Sequence, residues 1–294
     1  MQIRKAVIPA AGFGTRCLPA TKAVPKEMLP IVDTPVIQYV VEEAVASGIT
    51  EILLIISRGK QAIAEHFDAS PELESALAAR GRSAELAALQ RIAALARIHY
   101  VYQPQLRGLG DALLLARQYV GPEPFAVLLG DTLLQETAGA APVTRQLMQQ
   151  YERFRAPVVA LEQVPPEKLS RYGIVAGEAL AGEAALRIRR LVEKPAPGEA
   201  PSDLAIASRY VLTPHTLELL AEVKPGKNGE IQLTDALNAQ AQAEPFYGWR
   251  IQGRRHDAGN KLEYLKTNIR YALEREEMRE ELLRYMGEVV RGEG

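Results

Sequence analysis

Four short, largely apolar runs punctuate the first half of the chain: Ile3–Ile8, Ile52–Ile56, Tyr100–Tyr102 and Phe125–Leu129. Segments with helical spacing separate them. Val36–Ala46 follows Asp33-Thr34-Pro35, which supplies a capping residue and a proline at a helix start. Gln61–Phe67 and Asp111–Tyr119 read as helices, and Pro71–Ala96 as two helices broken at Gly81-Arg82-Ser83. Apolar strands alternating with helices predict a parallel sheet covered on both faces.

The second half is more mixed. Val158–Val164, Ile174–Val175, Ala185–Val192, Ala205–Leu212 and Phe246–Ile251 read as strands, and Pro214–Ala221 and Gln232–Ala243 as helices. Lys261–Val290 is a long amphipathic segment with many Glu/Arg pairs at helical spacing, which suits either a solvated surface helix or an oligomer contact. Lys194–Ser202, rich in Pro and Gly, reads as a surface loop. The expectation is one continuous α/β domain over residues 1–294: a Rossmann-like, mixed but mainly parallel sheet flanked by helices, with an elaborated second half and a C-terminal helix.

The first strand runs straight into Pro9-Ala10-Ala11-Gly12-Phe13-Gly14-Thr15-Arg16, with Pro25-Lys26-Glu27 following. Glycine lets backbone N–H groups approach a ligand, and successive N–H groups in such a turn form an anion-binding concavity. Arg16 and Lys26 add full charges suited to phosphate. A Walker A loop is excluded, because no Gly-Lys-Ser/Thr follows. A dinucleotide fingerprint is excluded too: there is no third glycine, and the next strand ends at Ser57-Arg58, not at an acid.

Composition narrows the partners. The 294 residues carry a net charge of −1, so no basic field advertises nucleic acid or a membrane surface. A single cysteine, Cys17, permits no intrachain disulfide, and four scattered histidines make no zinc pattern. No stretch of about 18 apolar residues occurs, as a membrane span would need. The Ile3–Ile8 run is too short for a secretory leader and is interrupted by Pro9, so a cytoplasmic protein is expected.

Further constellations carry possible chemistry. Asp131 directly follows an apolar strand, at the carboxyl end of a parallel sheet, where open α/β folds place ligands. A carboxylate there suits a nucleotide-bound Mg²⁺, or else a turn. Asp257, in His256-Asp257-Ala258-Gly259-Asn260, could share that metal or cap the following helix. Glu193-Lys194 ends a strand; its Glu can accept from hydroxyls and its Lys can hold a phosphate. Gln103, upstream of Gly108 and Gly110, offers an amide that matches a base edge.

Together these motifs resemble the sugar-nucleotidyltransferase family. Gly12-Phe13-Gly14-Thr15-Arg16 and Pro25-Lys26 match its opening signature. The run Leu18–Pro30, His66-Phe67-Asp68, Glu193-Lys194-Pro195, Gly229–Asp235 and His256–Lys261 are similar to the uridylyltransferase branch. The resemblance implies that UTP and glucose 1-phosphate form UDP-glucose and pyrophosphate with Mg²⁺. It implies a nucleotide-binding half at about 1–135, a sugar-phosphate half at about 136–260 and a helical segment at about 261–294. Ala10, Ala11, Gly12, Gly14, Thr15 and Glu27 would bind the nucleotide. Arg16 and Lys26 would grip its triphosphate, and Gln103 and Gly108 would read uracil. Asp131 and Asp257 would bind Mg²⁺. Gly173 and Glu193 would bind the sugar, and Lys194 its phosphate. A homodimer or homotetramer is implied. The rival readings are a thymidylyltransferase or related sugar-phosphate nucleotidyltransferase, and a regulatory protein that binds nucleotide sugars without turnover.

Overall fold

The computed structural model describes residues 2–226 and 229–292. Most strands join one nine-stranded sheet, ordered Arg97–Tyr102, Glu51–Ile56, Lys5–Pro9, Phe125–Leu128, Leu204–Leu212, Val158–Gln163, Tyr247–Arg250, Ala185–Glu193 and Gly173–Ala179. The first four are mutually parallel. Leu204–Leu212 then runs against them, antiparallel to both Phe125–Leu128 and Val158–Gln163. Its leading residues also pair with the last strand, Leu204 opposite Val175 and Ala205 opposite Ile174. Five strands of the second half thus close into a ring of pairings, which leaves none of them as a free edge. The expected mixed α/β sheet is present, parallel in the first half and largely antiparallel in the second.

Period-two alternation sorts the strand residues between two cores. Val7, Leu53, Ile55, Phe125 and Val127 face Leu113, Leu217, Leu220 and Leu237, from helices Leu109–Leu114, Pro214–Glu222 and Leu233–Ala243. Ile8, Ile52, Leu54, Ile56 and Leu128 face Ile37, Val41, Ile63 and Leu147, from helices Val36–Ala46, Gln61–Phe67 and Val143–Phe154.

Besides the helix Val143–Phe154, which the sequence reading does not include, three differences from the sequence expectation stand out. The helix expected at Asp111–Tyr119 is two short pieces, Leu109–Leu114 and Arg117–Val120. The expected C-terminal helix is two, Lys261–Glu274 and Glu276–Arg291, because Arg275 is extended (φ −87°, ψ 118°). The Arg275 guanidinium pins that corner by donating from Nη1 to Asp33 Oδ2 at 2.7 Å. The third difference is a small antiparallel pair outside the main sheet, Thr132–Glu136 with Gly253–Asp257, in which Asp257 lies opposite Thr132.

A buried ion pair locks this small ribbon to the main sheet. Arg209, fully buried, donates from Nη2 to Glu43 Oε2 at 2.6 Å and to the Thr132 carbonyl at 2.8 Å. Glu43 Oε1 accepts from Thr144 Oγ1 at 2.7 Å and Thr144 N at 3.1 Å. Removing one partner of such a pair leaves an uncompensated buried charge. Arg209→Met should therefore cost about 3–5 kcal/mol. Adding Glu43→Leu should recover most of that loss. Urea unfolding of the two variants checks both, and a double variant as unstable as the single one would refute the account.

Candidate active site

The chain leaves strand Lys5–Pro9 through Ala10-Ala11-Gly12 and enters three short 3-10 turns, Thr15–Cys17, Ala20–Lys22 and Lys26–Met28. Its carbonyls are anchored from below. Lys60 Nζ donates to Ala10 O at 2.6 Å, and Ser57 Oγ to Ala11 O at 2.7 Å. The N–H groups of Ala11, Gly12, Phe13 and Gly14 donate to no group among the described residues. Gly14 sits at φ +69°, and a Cβ there would press within 3.1 Å of Lys26 Cβ, so the turn requires glycine. Thr21 Oγ1 closes the turn onto Gly14 O at 2.8 Å. The result is a concave row of free donors, the arrangement that binds anions.

An alternating series of charges runs beside this row. Lys26 Nζ donates to Asp131 Oδ2 at 2.6 Å. Burial would raise the Asp131 pKa, but Lys26 and Arg16 outweigh it and hold the carboxyl at about 2. Burial would likewise lower the pKa of Lys26, but Asp131 and Glu27 more than offset it and hold the ammonium above its ordinary value. Asp131 therefore contributes to stability above the ordinary carboxylate range and loses that contribution as pH falls towards 2. Lys26 contributes below the ordinary lysine range and loses it at strongly alkaline pH.

Glu27 is buried with only 1% exposure and accepts from Lys60 Nζ at 2.7 Å. Burial pushes the Glu27 pKa up and the Lys60 pKa down. Glu27 thus lies between two cations, Lys60 on one oxygen and Lys26 Nζ 4.0 Å from the other. Lys60 was not among the expected residues. Its only sequence signal is a lysine in the Arg58-Gly59-Lys60 turn after a buried strand.

The small ribbon brings the second aspartate home. Because Asp257 pairs with Thr132, it lies beside Asp131. Gly259 shows how tightly they gather: a Cβ there would lie 3.0 Å from Arg16 Nη2, 3.1 Å from Asp257 Oδ1 and 3.4 Å from Asp131 Oδ2. Asp257 Oδ1 accepts from Gly259 N at 2.9 Å. The following helix is capped by Asn260, whose Oδ1 accepts from Leu262 N and Glu263 N, so Asp257 is not its cap. No cluster of three or more His, Cys, Asp or Glu side chains suited to a metal occurs among the described residues. Two carboxylates alone suit an ion such as Mg²⁺, which takes one or two of them and completes its shell with phosphate oxygens and water.

The remaining expected residues lie around two further pieces of the cleft. Gln103, at the end of strand Arg97–Tyr102, is buried and donates from Nε2 to Asp111 Oδ2 at 2.8 Å and, more weakly, to Gly108 O at 3.4 Å. Gly108 (φ +98°) and Gly110 abut Ile231: added Cβ atoms would lie 2.8 and 2.7 Å from its carbonyl oxygen. Gly110 N donates to Ile231 O, and Ile231 N to Arg107 O. In the same Gly229–Asp235 motif, Thr234 Oγ1 donates to Glu193 Oε2 at 2.7 Å. Gly173 completes that cluster, since a Cβ on it would meet Glu193 Oε2 at 3.2 Å and Thr234 Oγ1 at 3.3 Å. Lys194 is exposed, with Nζ 3.3 Å from Glu193 Oε1. It sits at φ +43°, a left-handed conformation that costs a non-glycine residue about 1–3 kcal/mol and recurs at functional sites.

A glycine loop of free donors, two cations and two strand-end carboxylates is thus assembled at one end of the parallel strands. The model of the nucleotidyl transferase family matches residues 5–273. The chain belongs to the nucleotidyl transferase family. Within it, the chain is 48% identical over 292 residues to UTP–glucose-1-phosphate uridylyltransferase YngB of Bacillus subtilis, covering 99% of this chain and 97% of that one. It is 46% identical over 286 residues to a Streptococcus pyogenes UTP–glucose-1-phosphate uridylyltransferase, covering 97% and 94%. The UTP-bound UGPase from Acinetobacter baumannii superposes with a TM-score of 0.89 at 38% identity, over 98% and 99% of the two chains. A Bacillus anthracis protein assigned to the glucose-1-phosphate thymidylyltransferases reaches a TM-score of 0.70 at 23% identity, a likeness of fold alone.

The Gly259 contacts generate a prediction. Its φ lies outside the left-handed region, so alanine fits the backbone, but the methyl crowds Arg16 Nη2 and Asp257 Oδ1, which must each give by a few tenths of an ångström, while Asp131 Oδ2 stays at contact distance. A misplacement of about 1 Å can cost about a hundredfold in rate, so a shift of a few tenths of an ångström should cost roughly tenfold. Gly259→Ala should lose activity on that scale while keeping a wild-type melting temperature. Steady-state kinetics beside thermal unfolding tests this, and wild-type turnover would refute it.

Proposed function

We propose that this protein joins UTP to α-D-glucose 1-phosphate, releasing pyrophosphate and forming UDP-glucose. The observation that carries the reading is the gathering of Arg16, Asp131 and Asp257 around Gly259, beside the free N–H groups of Ala11 to Gly14. The near-full-length identity to uridylyltransferases supports the choice of substrates.

In the proposed reaction an oxygen of the sugar phosphate attacks the α-phosphorus of the nucleotide. A new phosphorus–oxygen bond forms, the bond to the β-phosphate oxygen breaks, and pyrophosphate leaves with that electron pair. A phosphate monoester dianion is already a competent nucleophile, so no general base is required. Catalysis then rests on positioning and charge stabilisation. The N–H row holds the nucleotide, with Ala10 and Thr15 at its ends. Arg16 and Lys26 face the triphosphate and neutralise charge on the departing pyrophosphate. Gln103 and Gly108 hold the uracil. Gly173 and Glu193 receive the glucose hydroxyls, and Lys194 its phosphate. Asp131 and Asp257 would hold Mg²⁺, which supplies charge neutralisation to the phosphates when bound.

The parallel half, about 1–135, serves the nucleotide, and the closed strand ring within about 136–260 serves the sugar phosphate. The C-terminal helices bear exposed apolar side chains, among them Leu283, Tyr285, Val289 and Val290, which support assembly of this chain as a homodimer or homotetramer.

Purified protein with Mg²⁺, UTP and glucose 1-phosphate should release pyrophosphate and form UDP-glucose. Silence with these substrates would sink the reading. Asp131→Ala and Lys194→Ala should each lower kcat at least a hundredfold with the fold retained by circular dichroism. Either variant turning over at the wild-type rate would remove its assigned role.

A further inference from the structure

We propose that Asp111 is a specificity-determining positioning residue, which makes Gln103 present only its carbonyl oxygen to the nucleotide base and so rejects cytosine. The proposal deepens the reading above and rests on Gln103 as the residue that meets the base. Asp111 itself lies on helix Leu109–Leu114, one turn from Gly108.

A glutamine amide offers a donor and an acceptor, and a rotation of its terminal group exchanges them. Left free, it would match the imide edge of uracil in one orientation and the edge of cytosine in the other. Here it is not free. Its Nε2 donates to Asp111 Oδ2 at 2.8 Å and lies 3.4 Å from Gly108 O. A carboxylate and a carbonyl both only accept, so both neighbours demand the nitrogen and both repel the oxygen. Gln103 is 5% exposed and Asp111 8%, so water competes little for either group. Asp111 is held in turn by Arg107, which donates from Nε at 3.1 Å and Nη2 at 2.8 Å to Oδ1, leaving Oδ2 for the amide. Gln103 Oε1 accepts from no group among the described residues, and neither does the Gly108 N–H donate to one.

The pair left for a base is therefore one acceptor and one donor. Uracil answers with its N3–H and an adjacent carbonyl oxygen. Cytosine presents a lone pair at N3 and an amino group beside it, so acceptor meets acceptor and donor meets donor. Buried polar groups left opposed in this way cost far more than a missing apolar contact. Discrimination comes from the repulsive arrangement that Asp111 enforces as much as from the attractive one.

The test is the ratio of kcat/KM for UTP to that for CTP in the wild type, Asp111→Leu, Asp111→Ala and Gln103→Leu. Both nucleotides are turned over by the same folded molecules, so partial unfolding cancels from the ratio. Leucine keeps the branched outline of the carboxylate without its acceptors, and alanine serves if the larger leucine prevents folding. Freed from Asp111, the Gln103 amide can rotate, and the ratio should fall at least tenfold, mainly through a rise in relative activity with CTP. If Gln103→Leu lowers the ratio while both Asp111 variants keep the wild-type value, this proposal is overturned and the role of Gln103 stands. If Gln103→Leu also leaves the ratio unchanged, the base-reading role itself is overturned, and the proposal with it. A fall confined to absolute activity, equal for the two nucleotides, would show that Asp111 only supports the helix and would overturn the proposal as well.

Discussion

The 2.6 Å contact between Lys26 and Asp131 is where the two sides of the cleft meet. One partner ends the glycine loop; the other ends a central strand. Each offsets the other's charge where both side chains are largely shielded from water. The contact is one link in a series of alternating charge, Lys60–Glu27–Lys26–Asp131, with Arg16 at its open end. Because each charge is balanced by the next, the cations stand in place before any polyphosphate arrives. Donors that need no rearrangement at the moment of reaction are worth more than donors that must be recruited. The loop's geometry follows from the same series: Gly14 gives way to the Lys26 side chain, and Lys60 draws the Ala10 carbonyl down, away from the open row of N–H groups.

The sheet explains why the site has two unlike ends. Parallel strands all deliver their carboxyl ends to one side, so a loop after one and an aspartate after its neighbour come together without further arrangement. That accounts for Ala10–Arg16 and Asp131. The antiparallel half delivers residues differently, through a ring of strands and the motif at Gly229–Asp235. One stretch of that motif serves both ends: Ile231 is bonded to the loop that carries Gly108, and Thr234 to Glu193.

What could be read in the sequence follows the strength of local signals. The four apolar strands and the loop after the first were legible because burial on both faces leaves an uninterrupted apolar run. Asp131 was legible because it ends such a run. The ribbon strand Gly253–Asp257 was not, since Gly-Arg-Arg-His-Asp carries no apolar alternation. Its arginine at 255 is accommodated by Glu162 and by the Tyr172 ring, 3.8 Å away, which only the tertiary structure supplies. Asp257 was therefore recognised by its motif and not by its element. Helix Val143–Phe154 does carry a legible signal, with Val143, Leu147, Met148 and Tyr151 at helical spacing. Glu43 and Asp111 read as ordinary polar helix positions, because the groups that give them meaning lie elsewhere in the fold.

The Arg209–Glu43 pair has a consequence for the history of such chains. The two residues are separated by 166 positions, yet each is the other's principal compensation in a site closed to water. A replacement at either position alone must pass through a form with a stranded charge. The two positions should therefore drift as a single inherited character, and chains of this architecture should divide into those that keep both ions and those that have lost both. The carbonyl of Thr132, held by the same guanidinium, ties the pair to the backbone beside Asp131.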